Sequence, residues 1–126
     1  MMKQLDREGA MMIQKEIYPD LYDLSVGHLF GDIWTRKPLS VRERELVTLA
    51  TLINVGYENG IRSHCRSALH LGITKEELME LFIHVGAYCG WPRMAAATRE
   101  LARVLEEDSP KKKKAKKKTG ARRKSA

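Results

Sequence analysis

ELVTLATLINVGYENGIRSHCRSALHLGITKEELMELFIHVGAYCG, residues 45–90, decides the fold of this chain. Gly56 and Gly72 divide it into three segments rich in apolar residues, and Gly90 closes the third. Glycine in such positions is typical of the left-handed residue that ends a helix. No segment alternates polar and apolar residues for long enough to indicate a strand. The stretch therefore predicts three consecutive helices.

Two capping boxes predict where helices begin. Ser40 is followed three residues later by Glu43, and Thr74 by Glu77, so that side chain and backbone can satisfy each other's free groups. The predicted helices cover residues 41–55, 58–71 and 75–89. Apolar side chains occur most of the way around the first, which predicts the central and most buried helix.

Helices are also predicted on both sides of this stretch. Before it, apolar residues favour helices over residues 3–17 and 20–34, the second with either close packing or a break at its glycines. After it, Pro92 predicts the start of a helix over residues 93–107. We therefore expect an all-α domain of five to six helices in residues 1–109. A domain of this size buries a modest share of its surface, so oligomerisation would help it.

The positive charge is concentrated at the C-terminus. The chain has a net charge of +7, but residues 110–126 contain ten basic and no acidic residues, leaving 13 basic and 16 acidic residues in 1–109. The tail has no apolar residue larger than alanine, so we expect it to be disordered. The alternative is weak, salt-sensitive contact with nucleic acid or acidic partners. Removing residues 110–126 is expected to leave folding and catalysis unchanged.

Cysteine content and hydropathy indicate a cytoplasmic protein. Cys65 and Cys89 are too few for a disulfide framework, which favours a reducing compartment. The N-terminus has no apolar run typical of a signal peptide, and no segment approaches 18 uninterrupted apolar residues, so no membrane span is expected. The four histidines lack zinc-ligand spacing, so no metal site is predicted.

Two histidines are candidates for chemistry. Ile61, His64, Cys65 and Ala68 recur with helical spacing, which predicts that His64 faces inward. His84 is predicted at or near another buried stripe, and two inward histidines on consecutive helices favour a shared polar pocket. The alternative for His64 is a core histidine with satisfied ring nitrogens; the functional interpretation is a general acid or base.

Other charged residues in this region have two interpretations. Glu45 alone reads as an exposed glutamate of a first helical turn, favoured there by the helix dipole. Arg62 and Arg44 are either surface residues or clamps for a substrate carboxylate, because guanidinium groups bind carboxylates in a two-pronged way. Cys65 is expected to be a buried small hydrophobic residue rather than a nucleophile.

Several motifs together resemble the carboxymuconolactone decarboxylase family. They are Gly31-Asp32-x-Trp34, Leu46-Val47-Thr48, Arg62-x-His64, Gly72-Ile73-Thr74 before Glu76-Glu77, His84, and Tyr88-x-Gly90-x-Pro92. The resemblance covers about residues 28–107. It implies a compact, orthogonal, all-helical fold like that of alkylhydroperoxidase D, assembled as a homo-oligomer, a trimer or hexamer.

The resemblance also implies an activity. The family's named enzyme removes carbon dioxide from 4-carboxymuconolactone (γ-carboxymuconolactone) in the β-ketoadipate pathway of aromatic catabolism, without a cofactor, and gives β-ketoadipate enol-lactone. His64 would then be the proton donor, and His84 and Glu45 would assist catalysis. The substrate is a small anionic lactone or dicarboxylate, and Arg62, Arg44 and Tyr88 would bind it.

A second branch of the resemblance is the alkylhydroperoxidase D type, which uses a Cys-x-x-Cys pair near the same histidine. Here Tyr57 and Gly60 occupy the cysteine positions, so dithiol peroxidase chemistry is expected to be lost, although the matching glutamate, Glu45, is present. The decarboxylase branch more often has serine at the position of Glu45, and usually an acidic residue at that of Gly60. The remaining alternative is a non-catalytic, oligomeric binding protein.

Overall fold

The structure is a computed structural model that describes residues 14–110 together with residues 117 and 120. The predicted helix over residues 3–17 falls mostly outside the described residues, and residues 15–17 form a turn. Most of the tail predicted to be disordered also lies outside them. The helices are α1 (Pro19–Leu24), a π-helix (Ser25–Ile33), α2 (Val41–Val55), α3 (Glu58–His70), α4 (Lys75–Cys89) and α5 (Trp91–Glu107). No strand occurs in residues 14–110, and the predicted all-α class is confirmed.

Both predicted capping boxes are confirmed. The Ser40 hydroxyl accepts the Glu43 amide at 3.1 Å, while the Ser40 amide donates to the Glu43 carboxylate at 2.6 Å. Thr74 and Glu77 form the same pair of bonds, at 3.1 and 2.9 Å. Hydrogen bonding to the backbone is the main reason that the pKa of each glutamate is lowered. The boxes fix the first residues of α2 and α4.

Glycines end the helices at the predicted places. Gly56 and Gly72 have φ of 80° and 84°, in the left-handed region that side chains disfavour. The connections they allow are short, so α2, α3 and α4 follow one another closely. This brings His64, in the middle of α3, against the preceding helix.

The segment predicted as one α-helix over residues 20–34 changes its winding. From Ser25 it is π-helical, and the Trp34 amide donates to the Leu29 carbonyl five residues earlier at 3.0 Å. The Ser25 hydroxyl also donates back to the Leu21 carbonyl at 2.8 Å. A Cβ at Gly31 would lie 2.9 Å from the Val26 carbonyl oxygen, so this wider turn requires glycine. The helix thus continues past its glycines, without the break that was one alternative.

Four helices enclose the main core. α5 packs against α3 and α4 and contacts α2, while α2 packs against α3 and α4; α3 and α4 do not pack substantially on each other. The buried apolar residues are Leu49, Ile53, Ile61, Cys65, Ala68, Ile73, Leu78, Phe82, Ala97, Leu101 and Val104. Phe30 and Trp34 form a second, smaller cluster against Val41. No described helix is long and apolar enough to cross a bilayer.

The prediction that α2 is the most buried helix is wrong. α2 buries Glu45, Leu49 and Ile53, one residue per turn, whereas α3 buries five residues. Val47 and Val55 lie on the other side of α2 and are 57% and 65% exposed. The other helices cover one stripe of α2, so its second apolar side faces outward in a single copy of the chain.

Candidate active site

Glu45 and His64 form a buried pair between α2 and α3. The Glu45 side chain is fully buried, and its Oε1 lies 2.7 Å from Nδ1 of His64. With the carboxylate oxygen as acceptor, the hydrogen of this bond is assigned to Nδ1. No residue in the described part of the chain hydrogen-bonds to Nε2, and the imidazole keeps 16% of its surface exposed. Nε2 is therefore the nitrogen available to a substrate.

The predicted exposed position of Glu45 is wrong. Glu45, Leu49 and Ile53 are four residues apart, so they share the stripe of α2 that faces the core. This spacing was the signal in the sequence that could have identified Glu45 as buried. Its second oxygen, Oε2, is also buried and has no hydrogen-bond partner among the described residues. Glu45 therefore hydrogen-bonds to His64 through Oε1 alone.

Trp34 covers one face of the histidine, a contact that the sequence analysis missed. The two rings are nearly parallel, 22° apart, and their centroids are separated by 6.4 Å. Phe30 in turn lies 6.3 Å from the Trp34 ring. The end of the π-helix places Trp34 there, which gives the Gly-Asp-x-Trp motif a structural purpose. A substrate can therefore approach the imidazole only at the part of the ring that the indole leaves open.

A second buried glutamate, also missed from the sequence, holds the arginine predicted to bind substrate. Glu100 of α5 is 2% exposed, and it accepts a hydrogen bond from Nε of Arg62 at 2.6 Å. Arg103 also approaches it, at 3.2 Å. The hydrogen bond that Arg62 donates to Glu100 raises the pKa of Arg62, and burial lowers it. The hydrogen bond has the larger effect, so the pKa is raised. Glu100 lies between Ala97 and Leu101 on the buried side of α5, and that spacing was the available signal.

Arg62 and His64 lie on opposite flanks of α3. Two residues apart, they project about 200° from each other around the helix, with the buried Ile61 and Cys65 between their flanks. His64 bonds to α2, and Arg62 bonds to α5. In one copy of the chain, Arg62 therefore does not share a site with His64, and the predicted pairing of these two residues on one substrate is not supported.

Arg44 is engaged with the backbone. Its Nη2 donates to the Arg36 carbonyl at 3.0 Å, which attaches the segment before α2 to the first turn of that helix. Its Nε is buried without a hydrogen-bond partner among the described residues. The guanidinium thus holds the chain at Arg36 instead of facing a carboxylate.

His84 and Tyr88 are exposed, contrary to the predicted position of His84 at or near a buried stripe. The buried stripe of α4 consists of Leu78, Phe82 and Gly86, and His84 and Tyr88 each follow one of its members by two residues. They consequently face outward: Tyr88 is 84% exposed, and its ring centroid lies 5.2 Å from that of His84. Because α3 and α4 do not pack on each other, the predicted shared pocket of the two histidines is absent from the described residues.

Cys65 has the predicted character of a buried hydrophobic residue. It is fully buried, and burial, with smaller contributions from Glu45 and Glu100, raises the pKa of its thiol to about 12. A thiol at this pKa supplies almost no thiolate near neutral pH, so it is a poor nucleophile. Within the described residues, no group of three His, Cys, Asp or Glu side chains could hold a metal ion.

A cleft is bordered by Trp34, and we call it the Trp34 cleft. Its volume is about 350 Å³, and it is lined by Phe30, Trp34, Thr35, Arg36, Lys37, Leu39, Ser40 and Val41. The aromatic and aliphatic side chains form its walls, and Arg36 and Lys37 are exposed. The cleft can accept a small molecule with an apolar body and a negative charge.

Comparison with known proteins identifies relatives with named activities. The sequence profile of the carboxymuconolactone decarboxylase family matches residues 19–103. A 4-carboxymuconolactone decarboxylase of Acinetobacter baylyi is 37% identical over 78 residues, 62% of this chain and 58% of that protein. A nitrosuccinic acid decarboxylase of Metarhizium robertsii is 33% identical over 63 residues, half of this chain and 44% of that protein.

A third relative has no named activity. It is an uncharacterized protein of Methanocaldococcus jannaschii, 33% identical over 96 residues, which are 75% of this chain and 91% of that protein. The chain thus spans less than two thirds of the two named decarboxylases but nearly all of a shorter relative.

Proposed function

Because this chain belongs to the carboxymuconolactone decarboxylase family, we propose that it is a cofactor-independent carboxy-lyase of the 4-carboxymuconolactone decarboxylase type. Its substrate is a small unsaturated lactone that carries carboxylates, and its product is β-ketoadipate enol-lactone. Two relatives named as decarboxylases support this class of reaction. The observation that carries the proposal is the hydrogen bond between the buried Glu45 and Nδ1 of His64.

The reaction needs one proton and a place for one electron pair. The bond between the carboxylate carbon and the lactone breaks, and carbon dioxide leaves. The electron pair passes into the conjugated system of the unsaturated lactone. A proton then adds to carbon to complete the product, and the donor recovers its proton from solvent. Protein groups that bind the anion and donate the proton are sufficient for this sequence.

In this proposal His64 enters the reaction with both ring nitrogens protonated, donates the proton of Nε2, and is left as the neutral imidazole with its hydrogen on Nδ1. Nδ1 is occupied by Glu45, so the imidazole cannot turn its other nitrogen outward without breaking that bond. Trp34 stacked on the ring limits rotation of the imidazole further. Glu45 does not touch the substrate and acts as a positioning residue, much as a carboxylate orients a catalytic histidine elsewhere.

The test is turnover of 4-carboxymuconolactone by the wild-type protein and by His64→Ala. We expect the variant to be slower by about 10²- to 10⁴-fold, the usual contribution of general acid catalysis. His70→Ala is the matched control, because His70 lies on the same helix but is exposed. Equal rates for wild type and His64→Ala would remove His64 from the mechanism, and no turnover by either would reject the proposed substrate.

Peroxidase chemistry is not favoured. Tyr57 and Gly60 lie where the related peroxidases have their two cysteines. Cys65 is buried with a strongly raised pKa and cannot substitute for a reactive dithiol. The two cysteines of the chain are free thiols, which supports our proposal that the protein works in the reducing cytoplasm.

We also propose that the chain forms a homo-oligomer, a trimer or hexamer. Large apolar residues remain exposed in a single copy, including Tyr88 at 84%, Val55 at 65% and Trp91 at 58%. Extensive exposed apolar surface is typical of interfaces between proteins. His84 lies next to Tyr88, so it would take part in an active site only where a second copy of the chain packs against this surface. Light scattering at several protein concentrations tests the proposal, and a monomer throughout would contradict it.

A further inference from the structure

The position of Arg62 leaves open which residue of this chain recognises the substrate's carboxylate. Arg62 is held by Glu100 on the flank of α3 that faces α5, and His64 lies on the flank that faces α2. The Glu100 carboxyl group lies 2.6 Å from Arg62 and 3.2 Å from Arg103, so Arg62 already has an acidic partner and is less available to an approaching anion. The anion-binding group should instead lie on the His64 side of the molecule.

Trp34 connects His64 with the Trp34 cleft. One face of the indole stacks on the imidazole, and the same residue forms part of the cleft wall. His64 does not itself line the cleft, so an acid bound there must extend past the edge of the indole to reach the imidazole.

The charge of the cleft favours an anion. Arg36 and Lys37 are both exposed, and none of the eight lining residues is acidic. The remaining wall is mainly apolar and can pack against the body of an organic acid. The hydrogen bond from Arg44 to the Arg36 carbonyl fixes the backbone that carries both cations. The site thus combines a held backbone with two exposed cationic side chains.

We propose that the Trp34 cleft is the carboxylate-recognition site of this protein, where Arg36 and Lys37 bind one acidic end of a small, flat, unsaturated acid and Trp34 packs against its body. The other end of the acid then reaches the exposed edge of His64. The identity of that acid rests on the proposed decarboxylase function, whereas the binding of a carboxylate in the cleft does not.

Fluorescence of Trp34 measures binding directly. The chain has two tryptophans, and Trp91→Phe removes the other one, which is exposed at the start of α5. In this background we titrate with benzoate and with benzamide at constant ionic strength. The two probes share a flat ring, and only benzoate is charged. We expect a saturable change in fluorescence with benzoate, and at least tenfold weaker binding of benzamide.

Charge removal locates the binding group. Arg36→Gln combined with Lys37→Gln is expected to weaken benzoate binding at least tenfold, with an unchanged helical circular dichroism spectrum. The matched control, Arg93→Gln with Arg99→Gln, removes the same charge from exposed positions on α5 and should bind benzoate as the parent does. Arg93 lines a second cleft, of about 270 Å³, so the control also tests that cleft.

Each outcome has a defined meaning. Equal binding of benzamide and benzoate, a non-saturating response, or unchanged binding after the double substitution at 36 and 37 would overturn the proposal. With 4-carboxymuconolactone, we expect that double substitution to raise KM at least tenfold while kcat stays within a few-fold. If wild type does not consume the lactone but binds benzoate as described, the proposed function fails and the carboxylate site stands.

Discussion

Replacing Glu45 with glutamine separates the charge of this residue from its shape. Glutamine keeps the side-chain volume, and its carbonyl oxygen can still accept the hydrogen bond from Nδ1 of His64 at about the present 2.7 Å. The variant loses the negative charge. It also places an amide nitrogen where Oε2 now lies, and Oε2 has no partner among the described residues. The glutamine would therefore bury an unsatisfied donor.

These two changes set the expected stability. A hydrogen bond to a charged group contributes about 1.5–3 kcal/mol and a neutral one about 0.5–1.5, so the lost charge costs about 1 kcal/mol. The unsatisfied amide adds about 1 kcal/mol, near the low end for such groups, because the wild-type position is also unsatisfied. A total of about 2 kcal/mol lowers Tm by about 8–16 °C in a domain of this size. Glu45→Ala also leaves a cavity and an unpaired histidine, so we expect about 3–5 kcal/mol.

The functional assay is turnover of 4-carboxymuconolactone at a temperature where Glu45→Gln is fully folded by circular dichroism. We expect kcat to fall by about tenfold to a hundredfold, corresponding to about 1.4–2.8 kcal/mol of transition-state stabilisation. KM should change little, because Glu45 is fully buried and does not touch the substrate. A folded Glu45→Gln protein with wild-type kcat would refute the role of this carboxylate in orienting His64.

Two further predictions concern the core. Arg62→Gln should destabilise the protein by about 2–3 kcal/mol, because it leaves the buried Glu100 with Arg103 alone. Arg103→Gln should cost at most about 1 kcal/mol, because Arg103 is 56% exposed and more distant from Glu100. Urea unfolding measures both variants, and equal effects would contradict the assignment. Cys65 should react with iodoacetamide at pH 8 at least a hundredfold more slowly than the partly exposed Cys89, because the Cys65 thiol is buried and its pKa is raised to about 12. Mass spectrometry of the native protein follows both sites, and similar rates would disprove the burial of Cys65.

The helix boundaries could be predicted because they depend on neighbouring residues. Ser40 and Thr74 need a glutamate three positions later, and Gly56 needs no partner at all to adopt a positive φ. The same holds for the inward stripes of α3 and α5, where 3.6-residue periodicity is visible directly. These local relations were sufficient for an all-α fold with three helices between residues 41 and 89 bounded to within one residue.

The two buried glutamates were harder to predict because each depends on a partner from another helix. Charged residues are rarely buried unless paired, so Glu45 and Glu100 read as exposed until His64 and Arg62 are placed beside them. The exposure of His84 was missed for the opposite reason. Its residue type suggested chemistry, although Phe82 and Gly86 already defined the buried side of α4.

The proposed proton donor and the proposed substrate-recognition group lie in different parts of the fold. His64 lies between packed helices, and a fully buried carboxylate holds it, so a change there disturbs the core. Arg36 and Lys37 lie on the connection before α2, with exposed side chains. Exposed connections accept substitutions more readily than packed helices do. If the two proposals hold, changes at these two positions alter which acid is bound without moving His64, and one proposed proton donor can serve several small carboxylic acids.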